Sequence, residues 1–130
     1  MTTVLIVDDD ADIRDLLTQL LKDAGYAVQE AADGLAAYDL LRASPERLIV
    51  LLDYSMPHLD GHQLLARLAA EPPLDHRHVY FLMTALHHRL PDALQRLLAH
   101  LCIPVLPKPF EVEEILQAVA GAASWLAAQP

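Results

Sequence analysis

The sequence is poor in the features that several classes of protein require. It has one cysteine, Cys102, so no disulfide can form within the chain, and this favours a reducing compartment such as the cytoplasm. Only two of its nine basic residues are lysines, and no basic stripe of the kind that binds nucleic-acid phosphates is present. No apolar run approaches the roughly 18 residues of a membrane span, and no signal peptide precedes the first apolar run. We therefore expect a cytoplasmic protein with no direct nucleic-acid binding and no membrane insertion.

The composition is that of a folded, acidic protein. The chain has 130 residues, of which 54% are hydrophobic and 21% charged, and its formal net charge is −9 at neutral pH. This length is typical of one domain and is sufficient to bury a core. We expect a single domain over residues 1–130, with no internal repeat and no linker.

Short apolar runs alternate with helical patterns along the chain. Strands are predicted at about 4–7, 27–31, 48–52, 79–83 and 105–106. Helices, marked by apolar residues at three- and four-residue spacing and by flanking caps or prolines, are predicted at about 13–24, 34–42, 61–71, 91–100 and 111–127. Apolar strands joined by helices indicate a parallel sheet covered on both faces, which is a doubly wound α/β fold of five strands and five helices.

Polar side chains follow four of the five predicted strands. Three aspartates, 8–10, follow the first strand, Asp53 follows the third, Thr84 the fourth and Lys108 comes just after the fifth, whereas the second strand contributes nothing obvious. In such a fold the carboxyl ends of the strands surround one crevice. Crowded carboxylates need a cation, and oxygen ligands alone favour Mg²⁺. A carboxylate nucleophile, a metal, a hydroxyl and an ammonium together are suited to phosphoryl transfer.

Three segments carry a resemblance to a known family. They are Val-Asp-Asp at 7–9, Asp-Tyr-Ser-Met-Pro-His-Leu-Asp-Gly at 53–61 and Pro-Lys-Pro-Phe at 107–110, with a weaker match in Thr-Ala at 84–85. In this order they resemble the receiver domains of two-component response regulators, over about residues 3–125. The resemblance implies a flavodoxin-like sheet with strand order 2-1-3-4-5.

The resemblance also implies a phosphorylation site that contains a metal ion. Asp53 would be the phospho-acceptor, and the Mg²⁺ ligands would be Asp8, Asp9, Asp53 and the backbone carbonyl of Ser55. Asp9 would bind the ion directly, and Asp8 partly through water.

Two more residues would bind the phosphoryl group. Thr84 would contact one of its oxygens through the hydroxyl, and Lys108 would pair with Asp53 before phosphorylation and with the phosphoryl group afterwards. The Lys108–Pro109 peptide is expected to be cis, and Gly61 is expected to allow a tight turn into the third helix.

The family resemblance implies partners but does not name them. A histidine kinase or a histidine phosphotransfer protein would donate the phosphoryl group, and an unknown downstream protein would respond to it. The protein would catalyse only its own phosphorylation and dephosphorylation, so we do not expect a conventional enzyme. No output domain is expected, since the receiver would end at about residue 125 of 130, so the chain either signals by protein contacts or is part of a larger regulator or hybrid kinase.

Residue 105 and the segment 101–104 depart from the family pattern. Val105 stands where the switch residue is usually Tyr or Phe, so the usual coupling of an aromatic ring to Thr84 is not expected. Val105 and the segment 101–104 together predict an unusually apolar face, formed by the fourth predicted helix, the fifth strand and the last helix. The same face is the candidate surface for a homodimer. Ser55 and Leu86 occupy positions that tune hydrolysis, and because Leu86 cannot orient a water molecule we expect slow self-dephosphorylation.

Two alternative functions remain open at this point. An Mg²⁺-dependent aspartyl-phosphate phosphatase usually has a second acid two residues after its nucleophile, where this chain has Ser55. A pseudo-receiver that binds partners without being phosphorylated is disfavoured by the set of acidic residues, Thr84 and Lys108, but Val105 leaves it open.

Other residues are given structural interpretations. Asp10 is expected to cap the first helix rather than to bind metal. The histidines at 58, 62, 76, 78, 87 and 88 are expected to be solvated rather than zinc ligands, and those at 58 and 87 to border the crevice. Cys102 is expected to be a small buried side chain.

Overall fold

A computed structural model describes residues 2–129 of the chain, with the side chains of residues 75 and 76 outside that description. Its central element is a parallel sheet of five strands in the order β2-β1-β3-β4-β5. The strands are β1 (Thr3–Val7), β2 (Ala27–Ala31), β3 (Ile49–Asp53), β4 (Val79–Thr84) and β5 (Val105–Pro107). The predicted strand order is confirmed.

Helices connect the strands and cover both faces of the sheet. They are α1 (Ala11–Asp23), α2 (Gly34–Ala43), α3 (Gly61–Ala69), α4 (Leu74–Arg77), α5 (Asp92–Leu101) and α6 (Val112–Ala127). The five predicted helices are present as α1, α2, α3, α5 and α6. The four-residue α4 is additional, because one turn is too short to produce a periodic pattern.

Aspartate caps determine where three of the helices begin. The carboxylate of Asp10 accepts hydrogen bonds from the backbone N–H groups of Asp12 and Ile13 at the start of α1, as predicted. Asp33 caps α2 in the same way, and Asp60 forms a capping box with Gln63 at α3. These caps start the helices directly after the loops that carry the polar strand ends.

Two hydrophobic cores lie on opposite faces of the sheet. Alternate residues of β1 belong to different cores, Leu5 and Val7 to one and Val4 and Ile6 to the other, as expected when successive side chains of a strand point to opposite faces. The first core includes buried residues of α2, α3 and α5, and the second those of α1 and α6. Burying both faces makes the sheet a rigid frame for the groups at its edge.

Two expectations about individual side chains are wrong. His78 is buried, with 4% exposed, because its Nδ1 accepts the Leu48 N–H at 2.9 Å and its Nε2 donates to the Leu41 carbonyl at 3.0 Å. Burial lowers the pKa of His78, although the hydrogen bond to Leu41 opposes this. Cys102 is exposed, because it lies in left-handed backbone (φ 57°) at the end of α5. The side chain of His76 lies outside the described residues.

Candidate functional site at the carboxyl edge of the sheet

Four polar side chains lie at the carboxyl ends of four strands, as the sequence predicts. Asp53 and Thr84 are the last residues of β3 and β4, and Asp8 and Lys108 come immediately after β1 and β5. Asp8, Asp53 and Thr84 are buried, with 1%, 6% and 3% of their surfaces exposed, whereas Asp9 is exposed. The sheet therefore places charged and hydroxyl groups where water is largely excluded but one side remains open.

The three predicted metal-binding carboxylates converge. Oxygen atoms of Asp8, Asp9 and Asp53 all lie within 4.8 Å of one another. These oxygens are hard ligands, and two buried carboxylates beside an exposed one leave an open side for water and a substrate oxygen, which suits Mg²⁺. The residues present thus fit the ion that the resemblance implies. Ser55, whose carbonyl is the fourth predicted ligand, lies two residues beyond Asp53 in an exposed loop.

Lys108 bridges the two buried carboxylates. Its Nζ lies 3.0 Å from Asp8 Oδ2 and 3.0 Å from Asp53 Oδ1. Burial raises the pKa of the Asp53 carboxyl to about 6, with a further increase from Asp8, while the hydrogen bond from Lys108 opposes the shift. Burial alone would lower the pKa of Lys108, but the hydrogen bonds to Asp53 and Asp8 outweigh it and raise that pKa. The cluster brings three acidic side chains together with one ammonium, an imbalance that a divalent cation would compensate.

Backbone hydrogen bonds set the positions of Thr84 and Lys108 relative to Asp53. Asp53 pairs with Met83 in the register of β3 and β4, and the Lys108 N–H donates to the Thr84 carbonyl at 2.9 Å. The Thr84 Oγ1 accepts the Leu86 N–H at 2.9 Å, so its own proton is still available to a ligand. The Lys108–Pro109 peptide is cis, as predicted.

Gly61 contributes to the site by close approach rather than by an unusual backbone angle. A Cβ atom there would lie 2.8 Å from the Asp53 carbonyl oxygen and 3.0 Å from the Tyr54 Cα. The chain therefore turns tightly into α3, as expected, and the start of α3 lies directly against the backbone of the phospho-acceptor candidate.

Two residues beside the site were missed from the sequence. The Arg14 Nη1 donates to the Asp8 carbonyl at 2.7 Å, and its Nε lies 3.3 Å from Glu30 Oε1 in β2. The second strand, which contributes no residue to the crevice itself, thus reaches Asp8 through this pair. The sequence marks this pair only weakly, by an arginine early in α1 and a single acidic residue near the end of β2.

The next residues to locate are Leu86, at the hydrolysis-tuning position, and Val105, at the switch position. Leu86 is 45% exposed, just beyond Thr84, and Val105 is half-buried against the first core. The large hydrophobic residues that are exposed within residues 2–129 include Val112 and Trp125 of α6 but none of α5 or β5. At the end of α5, however, apolar side chains do meet those of α6, because one cavity is lined by Leu101, Cys102, Ile103 and Pro104 together with Ala122 and Trp125.

Comparison with known proteins assigns the arrangement to a class. Residues 4–120 match the response regulator receiver domain, and the chain belongs to that family, as its motifs predict. A member of this family is a signalling module of two-component phosphorelays rather than an enzyme that turns over a metabolite. Within the described part of the chain, no helix has both the length and the apolar character of a membrane span.

This chain aligns with the whole length of some relatives and with only part of others. Sporulation initiation phosphotransferase F of Bacillus subtilis (strain 168) is 34% identical over 117 residues, which cover 89% of each chain. The DNA-binding dual master transcriptional regulator RpaA of Synechocystis is 35% identical over 120 residues, covering 92% of this chain and 48% of that protein. The crystal structure of a CheY-like receiver domain protein from Methanospirillum hungatei JF-1 has a TM-score of 0.84, 29% identity and 98% coverage of both chains. The chain thus resembles both a protein of its own length and half of a longer regulator.

Proposed function

We propose that this chain is a phospho-accepting receiver in which Asp53 takes a phosphoryl group from a phosphohistidine of a histidine kinase or a histidine phosphotransfer protein. The observation that carries the proposal is the contact of Lys108 with both buried carboxylates, 3.0 Å from each, beside the exposed Asp9. If Lys108 served only to neutralise a buried acid, the site would not need to be open to solvent or to contain the exposed Asp9. The chain acts as one receiver unit in the cytoplasm, where such kinases present their phosphohistidine.

The transfer step uses the Asp53 carboxylate as a nucleophile. One of its oxygens forms a bond to phosphorus, the P–N bond of the phosphohistidine breaks, and the imidazole leaves with the electron pair and takes a proton from water. The pKa of about 6 keeps Asp53 mostly ionised at neutral pH. A carboxylate whose pKa is raised by burial is also a better nucleophile than a fully solvated one, because less hydration must be removed.

Lys108 and Thr84 stabilise the group being transferred. When Asp53 becomes an acyl phosphate, its carboxylate charge is lost, and the Lys108 ammonium is left to pair with phosphoryl oxygens. Thr84 donates its hydroxyl proton to another of these oxygens, while the Leu86 N–H holds the hydroxyl oxygen.

Asp8, Asp9, Asp53 and the Ser55 carbonyl are the residues that would hold Mg²⁺. When bound, the ion would neutralise charge on the phosphoryl oxygens. The chain's own part is to hold the acidic side chains close together, through the pairing with Lys108 and the hydrogen bond from the Asp10 N–H to Asp8 Oδ1 at 2.9 Å.

Output follows from a change of protein contacts, without an aromatic switch. Val105 is too small to replace a ring that moves with Thr84, so the signal to the downstream protein travels through the backbone link between Thr84 and Lys108 and the loops beside them. A homodimer through α5, β5 and α6 remains a prediction that sedimentation before and after phosphorylation tests. The acyl phosphate is long-lived, because the apolar Leu86 offers no group to orient an attacking water.

One experiment separates this function from its two alternatives. The chain is incubated with Mg²⁺ and acetyl phosphate, and separately with p-nitrophenyl phosphate, and both the protein mass and the product are followed. A receiver acquires one phosphoryl group from acetyl phosphate and releases no nitrophenol. Continuous nitrophenol release would instead support the phosphatase, and the absence of any adduct would support the pseudo-receiver.

A further inference from the structure

Arg14 connects three elements around the first carboxylate of the site. From the second turn of α1 its Nη1 donates to the Asp8 carbonyl oxygen at 2.7 Å, and its Nε lies 3.3 Å from Glu30 Oε1. The arginine side chain is 20% exposed, and the Glu30 side chain is 38% exposed. Glu30 is itself fixed by the parallel pairing of β2 with β1, where it lies opposite Ile6.

The Asp8 carbonyl oxygen, which Arg14 contacts, belongs to a peptide unit that affects the position of Asp9. The carbonyl of Asp8 belongs to the peptide unit that joins Asp8 to Asp9, and a peptide unit is planar. A hydrogen bond to that oxygen therefore sets the orientation of the whole plane, and with it the direction in which the exposed carboxylate of Asp9 leaves the backbone. The Asp8 side chain is set separately, by the Asp10 N–H on Oδ1 and by Lys108 on Oδ2.

We infer that Arg14 is a positioning residue that orients the Asp8–Asp9 peptide for cation binding, and that Glu30 in turn orients the guanidinium. The inference rests on the proposed function, because it assumes that the carboxylates of Asp8, Asp9 and Asp53 bind Mg²⁺. It gives the second strand, which carries no crevice residue of its own, a part in building the site.

Electrostatics and positioning predict opposite signs when Arg14 is replaced. Arg14 is a cation close to a site for another cation, so removing its charge while keeping the geometry would tighten Mg²⁺ binding. Loss of orientation would weaken Mg²⁺ binding, because the carboxylates would then have to be ordered by the ion. The sign of the change therefore distinguishes the two roles.

The experiment is a calorimetric titration of Mg²⁺ into the wild-type chain and a set of variants. We expect Arg14→Gln to weaken Mg²⁺ binding by about tenfold and Arg14→Lys, which keeps the charge and one donor direction, to restore part of that loss. Glu30→Gln weakens binding less, and the double variant binds as Arg14→Gln does, because Glu30 acts only through Arg14. Lys22→Gln, which removes an exposed cation from the same helix, is the matched control and does not weaken binding.

The outcomes are separable. Mg²⁺ binding to Arg14→Gln that is equal to or tighter than wild type overturns the inference, and additive effects of the two single variants overturn the part assigned to Glu30. A wild-type chain that binds no Mg²⁺ overturns the proposed metal site itself, which is visible in the first titration.

If Arg14→Gln does not fold, Glu30→Gln is compared with Asp12→Asn, an exposed carboxylate in the first turn of α1. A larger loss of affinity for Glu30→Gln then supports the inference, and equal losses overturn it.

Discussion

Lys108 and Asp53 lie 55 residues apart in the sequence, yet the ammonium of one is 3.0 Å from the carboxylate of the other. The parallel sheet produces this contact, because β3 and β5 end at the same edge, on either side of β4. The pair does not remove the cost of burying Asp53, since its pKa remains raised to about 6. This residual cost has a measurable dependence on pH.

Asp53→Asn should stabilise the metal-free protein at neutral pH. The folded state binds a proton to Asp53 more tightly than the unfolded state, so stability is greatest below the unfolded pKa and falls as the pH rises from about 4 to about 6. Asparagine removes the charge, and the free energy of unfolding above that range should rise by about 1–3 kcal/mol, part of the gain being offset by the loss of the Lys108–Asp53 ion pair. Urea unfolding with EDTA over this pH range measures it. Asp39→Asn, an exposed aspartate of α2, is the control, and an equal pH dependence in the two variants would contradict the account.

Mg²⁺ should stabilise the chain through Asp9 and not through its neighbour Asp10. At 100 times the dissociation constant, a ligand that binds only the folded state contributes about 2.7 kcal/mol. Asp9→Asn should lose most of that increment, whereas Asp10→Asn should keep it, because asparagine caps a helix as well as aspartate does. The two variants change the charge equally at adjacent positions. Thermal unfolding with and without Mg²⁺ compares them, and equal responses would show that the ion is not bound where we place it.

Two glycine-to-alanine substitutions should act in opposite directions. At Gly61 the new methyl group would lie 2.8 Å from the Asp53 carbonyl oxygen, which is backbone and cannot move freely, so we expect a loss of about 1–3 kcal/mol and slower phosphorylation. At Gly121 in α6 the new Cβ would meet nothing within 4 Å beyond its chain neighbours and its own helix backbone, so alanine should stabilise the helix by about 0.5–1 kcal/mol and leave phosphorylation unchanged. For both variants, urea unfolding measures the change in stability, and the rate of phosphoryl adduct formation measures the change in phosphorylation. A neutral Gly61→Ala would mean that the contact with Asp53 is not needed.

Leu86→Gln should shorten the lifetime of the acyl phosphate. The leucine is 45% exposed beside Thr84, and an amide there could orient a water towards phosphorus, with an increase in hydrolysis of up to about tenfold, below the full contribution of a positioned acid or base. Leu35→Gln is the matched control, since that leucine in α2 is 46% exposed. The lifetime is followed as loss of the phosphoryl adduct after the phosphodonor is removed. A wild-type lifetime of seconds would contradict the expected slow hydrolysis.

The sequence predicts the fold and the crevice residues for a clear physical reason. Apolar runs of strand length between helical patterns fix a parallel sheet, and the residues that follow β1, β3, β4 and β5 must then share one edge. Asp10 and Asp60 could likewise be predicted as caps, because each directly precedes an amphipathic segment. The roles assigned to Thr84 and Lys108 in phosphoryl binding, and to the Ser55 carbonyl in Mg²⁺ binding, stay predictions.

The features that escaped prediction depend on tertiary contacts. The Arg14–Glu30 pair joins α1 to the edge strand β2, and neither residue has a local pattern that marks it. His78 is buried between two distant backbone groups, the Leu41 carbonyl of α2 and the N–H of Leu48 just before β3, which both hydrogen-bond to its ring. Cys102 is exposed because the end of α5 turns through left-handed backbone, which a non-glycine residue seldom does.

The central claim is that Asp53 accepts a phosphoryl group in an Mg²⁺-dependent reaction. The direct measurement is the intact mass of the protein after incubation with acetyl phosphate, for wild type and Asp53→Asn, with Mg²⁺ and with EDTA. The account predicts one phosphoryl adduct on the wild-type chain, only with Mg²⁺, and none on the variant. An adduct of equal yield on Asp53→Asn, or no adduct on a wild-type chain that calorimetry shows to bind Mg²⁺, would contradict it.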